Sequence, residues 1–175
     1  MKLKTIKLKN VSSTNNYAVN MIRKNKTRPT IIVADNQTKG KGRYGNKWIS
    51  FKGNLFMSIF FEIGLKKSIK KFTLQGCQIV RNSLEKFIKE KIEIRKPNDL
   101  LIEKKKLCGI LQETLIHNKK KYIIVGIGIN LIKSPNIRNY PTTYLGKFTN
   151  KSIGKSFIYN DIRKSYEKKF TTKNI

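Results

Sequence analysis

The chain has 175 residues, long enough for one domain with a real core. Its 39 Lys+Arg against 10 Asp+Glu leave a formal charge of +29, which invites a polyanion-binding reading. Only seven of those cations are arginine, and lysine, asparagine and isoleucine share A/T-rich codons, so compositional bias is favoured over functional electrostatics as the source of the charge, and DNA binding is not expected.

Leu3, Ile6 and Leu8 alternate with lysine and predict a first strand. Ser12-Ser13-Thr14 offers helix N-caps, and Ala18, Val19, Met21 and Ile22 fit a short amphipathic helix that ends before Pro29. Thr30 to Ala34 is a compact β-branched run and reads as a buried strand, with Gln37 just beyond it. The next stretch, Lys39 to Ser58, is the densest in chemistry. Gly40, Gly42 and Gly45 alternate with Lys41, Arg43 and Lys47, then come Trp48 and a turn at Lys52-Gly53-Asn54. Glycines let backbone approach a ligand, successive N–H groups form an anion-binding concavity, and interleaved cations add charge-assisted bonds. The spacing is not a P-loop, and a tryptophan and a turn follow it where a dinucleotide fingerprint requires a helix.

Leu55 to Ile63 predicts a strand, and Ser68 to Glu90 predicts a long core-packing helix. Ile92 to Ile94 starts another strand, which Pro97-Asn98-Asp99 interrupts and Leu100 to Ile102 resumes, the pattern of an edge or bulge. Asp99 is either a turn residue or an acid aimed at a ligand. A turn at Glu103 to Lys105, a strand from Lys106 to Leu115, a turn at His117 to Lys121 and a strand from Tyr122 to Leu131 read as a long hairpin. Lys106 stands apart from the other lysines because it enters an apolar strand, where it can be held against an anion. Gly126 and Gly128 weaken an ordinary strand and fit close approach by a ligand or backbone. Residues 133–150 read as a loop, and Phe157 to Phe170 as a last helix. Cys77 and Cys108 have no CxxC spacing and read as buried thiols of a reducing compartment; His117, the single histidine, argues against a His/Cys zinc site. No stretch reaches the length of a transmembrane helix. A mixed sheet with helices, hence α+β, is the expected class.

Four ordered blocks resemble the biotin–protein ligases. They are Ser12-Ser13-Thr14-Asn15; Gly40 through Trp48 with Ser50, Asn54, Leu55 and Ser58; Pro97-Asn98-Asp99-Leu100 with Lys106 to Leu111; and Gly126 to Asn130. Lys41 and Tyr44 replace arginines of the family pattern, and Lys96 replaces its tryptophan. The resemblance implies a mixed-sheet catalytic fold shared with class II aminoacyl-tRNA synthetases. It implies ATP-dependent formation of biotinyl-5′-AMP and ligation of biotin to a lysine of a carboxylase's apo biotin-carrier protein, with Mg²⁺ as the metal, in the cytoplasm. It further implies biotin contacts from Ser13, Thr14, Asn15, Gln37, Gly40, Lys41, Gly42, Arg43, Lys106 and Gly109. Adenylate contacts fall to Arg43, Tyr44, Gly45, Trp48, Asn98, Asp99 and Asn130, the last also a candidate for supporting the metal. Arg43 and Lys106 are the expected catalytic cations. Over residues 1–175 the expectation is one catalytic domain without an N-terminal helix-turn-helix or C-terminal SH3-like barrel, as monomer or homodimer. A lipoate or octanoate ligase or transferase of the same superfamily, and a catalytically weakened basic binding protein, are the alternatives.

Overall fold

A computed structural model describes residues 1–170 of the chain. Seven strands form one sheet: β1 (Lys4–Val11), β2 (Thr30–Gln37), β3 (Leu55–Ile63), β4 (Glu93–Arg95), β5 (Asp99–Ile102), β6 (Lys105–His117) and β7 (Lys120–Ile129). Their spatial order is β1-β2-β3-β7-β6-β5-β4. β1 and β2 are parallel, joined through helix α1 (Thr14–Arg23), and every other pairing is antiparallel. Two further helices, α2 (Ile69–Leu84) and α3 (Lys155–Lys169), complete the mixed α+β architecture expected from the sequence.

The period-2 geometry of strands divides the core between two faces. Ile32, Phe60, Tyr122 and Ile124 pack under Ala18 and Ile22 of α1. Their chain neighbours Ile31, Ile59, Phe61, Ile123 and Val125 point the other way, into a larger core with Phe72, Cys77, Val80 and Leu84 of α2 and Ile158, Ile162 and Tyr166 of α3. On that side Phe61, Phe72 and Phe170 form an aromatic cluster with ring centroids 5.4–6.3 Å apart. α1 is short and covers only part of its face. Beyond its N-terminus the sheet is floored by small residues, and that is where the site lies.

The hairpin turns are tighter than the sequence implied. Glu103-Lys104 and Asn118-Lys119 are two-residue turns with positive φ at all four positions, the geometry that matches strand twist. The helix expected to reach Glu90 ends at Leu84; Phe87 and Ile88 pack on the core from the following turn, so their apolar spacing served the core without extending the helix. The strand that Pro97 was expected to interrupt is a hairpin: Arg95 pairs with Asp99 and the chain reverses over Lys96-Pro97-Asn98. The register shift falls later, between Leu100 and Leu101 against β6. The 133–150 loop contains one 3-10 turn, Leu145–Phe148.

Candidate active site

Three glycines make a trough on the face that α1 leaves uncovered. Gly109 of β6 is the direct partner of Gly128 in β7, and Leu111 is the partner of Gly126 two residues on. Trp48 lies across the first pair. A Cβ added at Gly128 would stand 2.5 Å from the indole Cε2, and one at Gly109 would stand 2.8 Å from Cζ3. A Cβ at Gly126 would collide with the Asn15 side chain. The glycines therefore let an aromatic ring and an amide come within contact distance of strand backbone.

Trp48 is presented by the glycine-rich segment, which folds as its own small hairpin. Trp48 N–H donates to Gly40 O (3.0 Å), Gly42 N–H to Asn46 O (2.7 Å) and Asn46 N–H to Arg43 O (3.0 Å), with Lys41 bridged to Lys47. These N–H groups close the loop on itself and are not free to build the anion concavity read from the glycine spacing. Gly40 forms the neck, where a Cβ would meet Trp48 O at 2.5 Å. Tyr44 and Gly45 occupy the tip with positive φ.

At the inner end of the trough runs a buried polar network. Ser13 caps α1 through Asn16 N–H, which places Thr14 and Asn15 at the helix start. Gln37 Oε1 accepts from Thr14 N–H (2.8 Å) and from its hydroxyl (3.1 Å). Ser58 Oγ lies 2.7 Å from Thr14 Oγ1 and donates to Asn15 Oδ1 at 2.5 Å. Asn15 Nδ2 in turn donates to Glu113 Oε2 at 2.6 Å.

At the outer end stand the cations. Lys106 Nζ lies 2.9 Å from Asp99 Oδ1, 5.6 Å from the Trp48 ring centroid and 5.3 Å from that of Tyr140. Its backbone is held on the other side by residues 141–143, through Lys106 N–H to Pro141 O and Thr143 N–H to Lys106 O. Asp99 Oδ2 also takes Arg95 Nη2 (2.9 Å) and the Tyr140 hydroxyl (2.6 Å). Arg43 Nη1 donates to Asn98 Oδ1 (3.2 Å), and Asn98 Nδ2 donates to Ile110 O (2.8 Å). The guanidinium also stacks on the Tyr44 ring at 4.7 Å and donates to its hydroxyl. Behind this end, Pro97 O accepts from the Cys77 thiol at 3.9 Å. Burial, with help from the nearby Asp99 charge, pushes that thiol up to about 11; burial raises Cys108 as well.

These parts enclose a cleft of about 570 Å³. Of the residues singled out in the sequence, Ser13, Thr14, Asn15, Gln37, Lys41, Gly42, Arg43, Tyr44, Trp48, Asn98, Asp99, Lys106, Gly109 and Asn130 line it. Gly40 lies at the loop neck outside this lining, and Gly45 borders a shallower depression beside Leu111 to Glu113. Tyr44 is 88% exposed at the loop tip, with its ring over the Arg43 guanidinium.

The sequence pattern of the biotin/lipoate A/B protein ligase family matches residues 8–130. The chain belongs to the biotin/lipoate A/B protein ligase family. The bifunctional ligase/repressor BirA of Bacillus subtilis (strain 168) is 32% identical over 170 residues, covering 91% of this chain and 51% of its own length. The chain thus spans about half the length of that curated relative. The biotin protein ligase of Aquifex aeolicus, solved in complex with biotin and ATP, superposes with a TM-score of 0.78 at 30% identity, covering 94% of this chain and 69% of that one. The Leishmania major biotin protein ligase in complex with biotinyl-5-AMP shares the fold, with a TM-score of 0.79 at 23% identity over 93% of this chain and 72% of that one.

Within this ligase-family site, sequence reading missed Glu113, Arg95 and Tyr140, and gave Ser58 no task. Each acts through a partner remote in sequence. Asn130 was expected to support a metal, but it is buried and its amide is committed: Nδ2 donates to Thr143 O (3.1 Å) and Oδ1 accepts from Asn54 (3.4 Å). Asn54 in turn accepts the N–H groups of Leu131 to Lys133. Among the described residues no three His, Cys, Asp or Glu side chains cluster as metal ligands. Asp99, the one carboxylate lining the cleft, is engaged by Lys106, Arg95 and Tyr140. These residues do not fit a protein-built Mg²⁺ site.

Proposed function

We propose that the cleft binds biotin and ATP, joins them as biotinyl-5′-AMP with release of pyrophosphate, and passes the biotinyl group to a lysine of an apo biotin-carrier domain in the cytoplasm. The observation that carries this reading is the polarity of the cleft along its length. A hydrogen-bonding network of Thr14, Asn15, Gln37 and Ser58 at one end suits a ring urea. The glycine and indole walls suit an apolar bicycle and its alkyl chain. The cations Lys106 and Arg43 at the other end suit a carboxylate meeting a phosphate. The family's ligand-bound members support the same assignment.

In this reading the biotin carboxylate oxygen attacks the α-phosphorus of ATP and the bond to pyrophosphate breaks. Lys106, oriented by Asp99, and Arg43, oriented by Asn98, stabilise the charge that builds on the bridging and non-bridging oxygens. A positioned ammonium and guanidinium need no reorganisation during the step, which is where their effect comes from. The hairpin from Gly40 to Trp48 covers the mixed anhydride and limits its hydrolysis until a carrier lysine attacks the acyl carbon, expelling AMP.

The test is pyrophosphate release by the purified chain with ATP and biotin, with lipoate as the control acid, followed by addition of an apo carrier domain. Release with biotin alone and labelling of the carrier are the expected results. Release with lipoate alone would overturn the biotin assignment, and adenylate formation without labelling would overturn the transfer step.

A further inference from the structure

The network at the inner end of the cleft has two ends whose hydrogen-bonding sense is fixed by chemistry. One is the Thr14 backbone N–H, which only donates; it turns Gln37 Oε1 towards itself at 2.8 Å. The Gln37 Nε2 group therefore faces the opposite way, towards Gly40 and Ser50 at the cleft mouth. The other is Glu113, whose carboxylate only accepts when ionised. It lies 2.6 Å from one end of the Asn15 amide, so that end must be the NH₂ group. Asn15 Oδ1 then points to the Ser58 hydroxyl, which donates to it at 2.5 Å and lies 2.7 Å from Thr14 Oγ1. Asn15, Thr14 and Ser58 are all buried, and a reversed amide would set Asn15 Oδ1 against the Glu113 carboxylate, acceptor against acceptor, in low dielectric.

We propose that Glu113 is a positioning residue for the urea-binding end of the cleft: its carboxylate sets the orientation of the Asn15 amide and, through Ser58 and Thr14, the sense of the hydrogen bonds offered to the ligand. This rests on reading the cleft as a biotin site. A ring urea carries one acceptor between two donors, so its fit depends on that sense more than on shape. Glu113 reaches the network from the sheet, 98 residues along the chain from Asn15, and it also borders the loop-side depression that Arg43 lines.

The experiment measures biotin affinity by equilibrium dialysis with radiolabelled biotin, ATP affinity separately, and thermal melting. Glu113→Leu is expected to weaken biotin roughly 10-fold or more while ATP affinity stays within about 2-fold, because the unpaired Asn15 amide is lost from one end only. Glu113→Gln keeps an acceptor for Asn15 and should stay within about 3-fold of the unaltered chain. Should Glu113→Leu fail to fold, the pair Asn15→Asp and Asn15→Asp with Glu113→Gln replaces it. The single change sets two carboxylates face to face and should lose biotin. The double change restores a hydrogen bond with the Ser58 acceptor intact and should recover it. Unaltered biotin affinity in Glu113→Leu, an equal loss for ATP, or no recovery in the double variant would overturn the role of Glu113 alone. No biotin binding by the unaltered chain would overturn the functional reading with it.

Discussion

The indole of Trp48 rests on the backbone of Gly128, so closely that a Cβ there would stand 2.5 Å from Cε2 and 2.9 Å from Nε1. Gly128→Ala must move the ring or strain the strand, at about 1–3 kcal/mol by the usual cost of overpacking. The ring is carried by a loop, so we expect it to yield. Trp48 is the single tryptophan of the chain, which makes fluorescence a direct report. The expected outcome is a red-shifted emission and a biotin KM raised by roughly 10-fold, with little change in melting, since Gly128 belongs to neither core cluster. An unshifted emission maximum would contradict this seating of the indole.

How legible this was in the sequence depended on the range of the interaction. Leu55 to Ile63 was read to the residue, because an unbroken apolar run between turns admits little else. Lys106 stood out because a cation entering an apolar strand is a local anomaly. The Arg95 to Asp99 hairpin was read as one broken strand, because alternation alone does not report chain reversal. Glu113 and Tyr140 were invisible for a related reason. Their partners Asn15 and Asp99 lie 98 and 41 residues away, and only the strand order brings them together. Asn130 was singled out for its motif position; it lines the cleft, but the task of its amide, holding Asn54 and Thr143 together, was not legible.

The pair Lys106–Asp99 should separate into unequal effects. Lys106→Ala removes the ammonium from the carboxylate–phosphate junction and is expected to lower biotin-dependent pyrophosphate release by roughly 10²–10³-fold, the scale of losing one preorganised charge-stabilising donor. Asp99→Asn removes the charge and keeps an acceptor on one side only, for Lys106 or for Arg95 and Tyr140, but leaves the ammonium in the site, so a milder fall of about 10-fold is expected. Equal losses in the two variants would mean that Asp99 does more than orient the lysine.

Arg43 is tethered by Asn98 at 3.2 Å and covered by the Tyr44 ring, in a loop that is otherwise exposed. Arg43→Gly should shorten the residence time of preformed biotinyl-5′-AMP by roughly 10- to 100-fold, matching one charge-assisted hydrogen bond of about 1.5–3 kcal/mol. Tyr44→Phe removes the hydroxyl that Arg43 Nη2 reaches at 2.7 Å but retains the stacked ring, and should change that residence time by less than about 3-fold. Filter-binding dissociation kinetics of radiolabelled adenylate would decide between them, and an unchanged rate for Arg43→Gly would remove the arginine from adenylate retention.

The two cysteines predict how the fold responds to alkali. Burial holds the Cys77 thiol at about 11 against an ordinary value of 9.0, and raises Cys108 as well. Below pH 9 the thiols are protonated in folded and unfolded chains alike and stability does not depend on them. Above pH 9 the unfolded chain loses these protons while the folded chain keeps them, so stability must fall as pH rises from about 9 towards 11. For Cys77 alone the fall is on the order of 2–3 kcal/mol at 1.36 kcal/mol per pKa unit. Tyr166, also raised by burial, adds to the fall above pH 10. Urea denaturation at pH 8, 9.5 and 10.5 should show that decline, and a Cys77→Ala, Cys108→Ala variant should show a shallower one despite a lower starting stability. Rapid reaction of either thiol with iodoacetamide at pH 8 in the native chain would contradict the burial on which this rests.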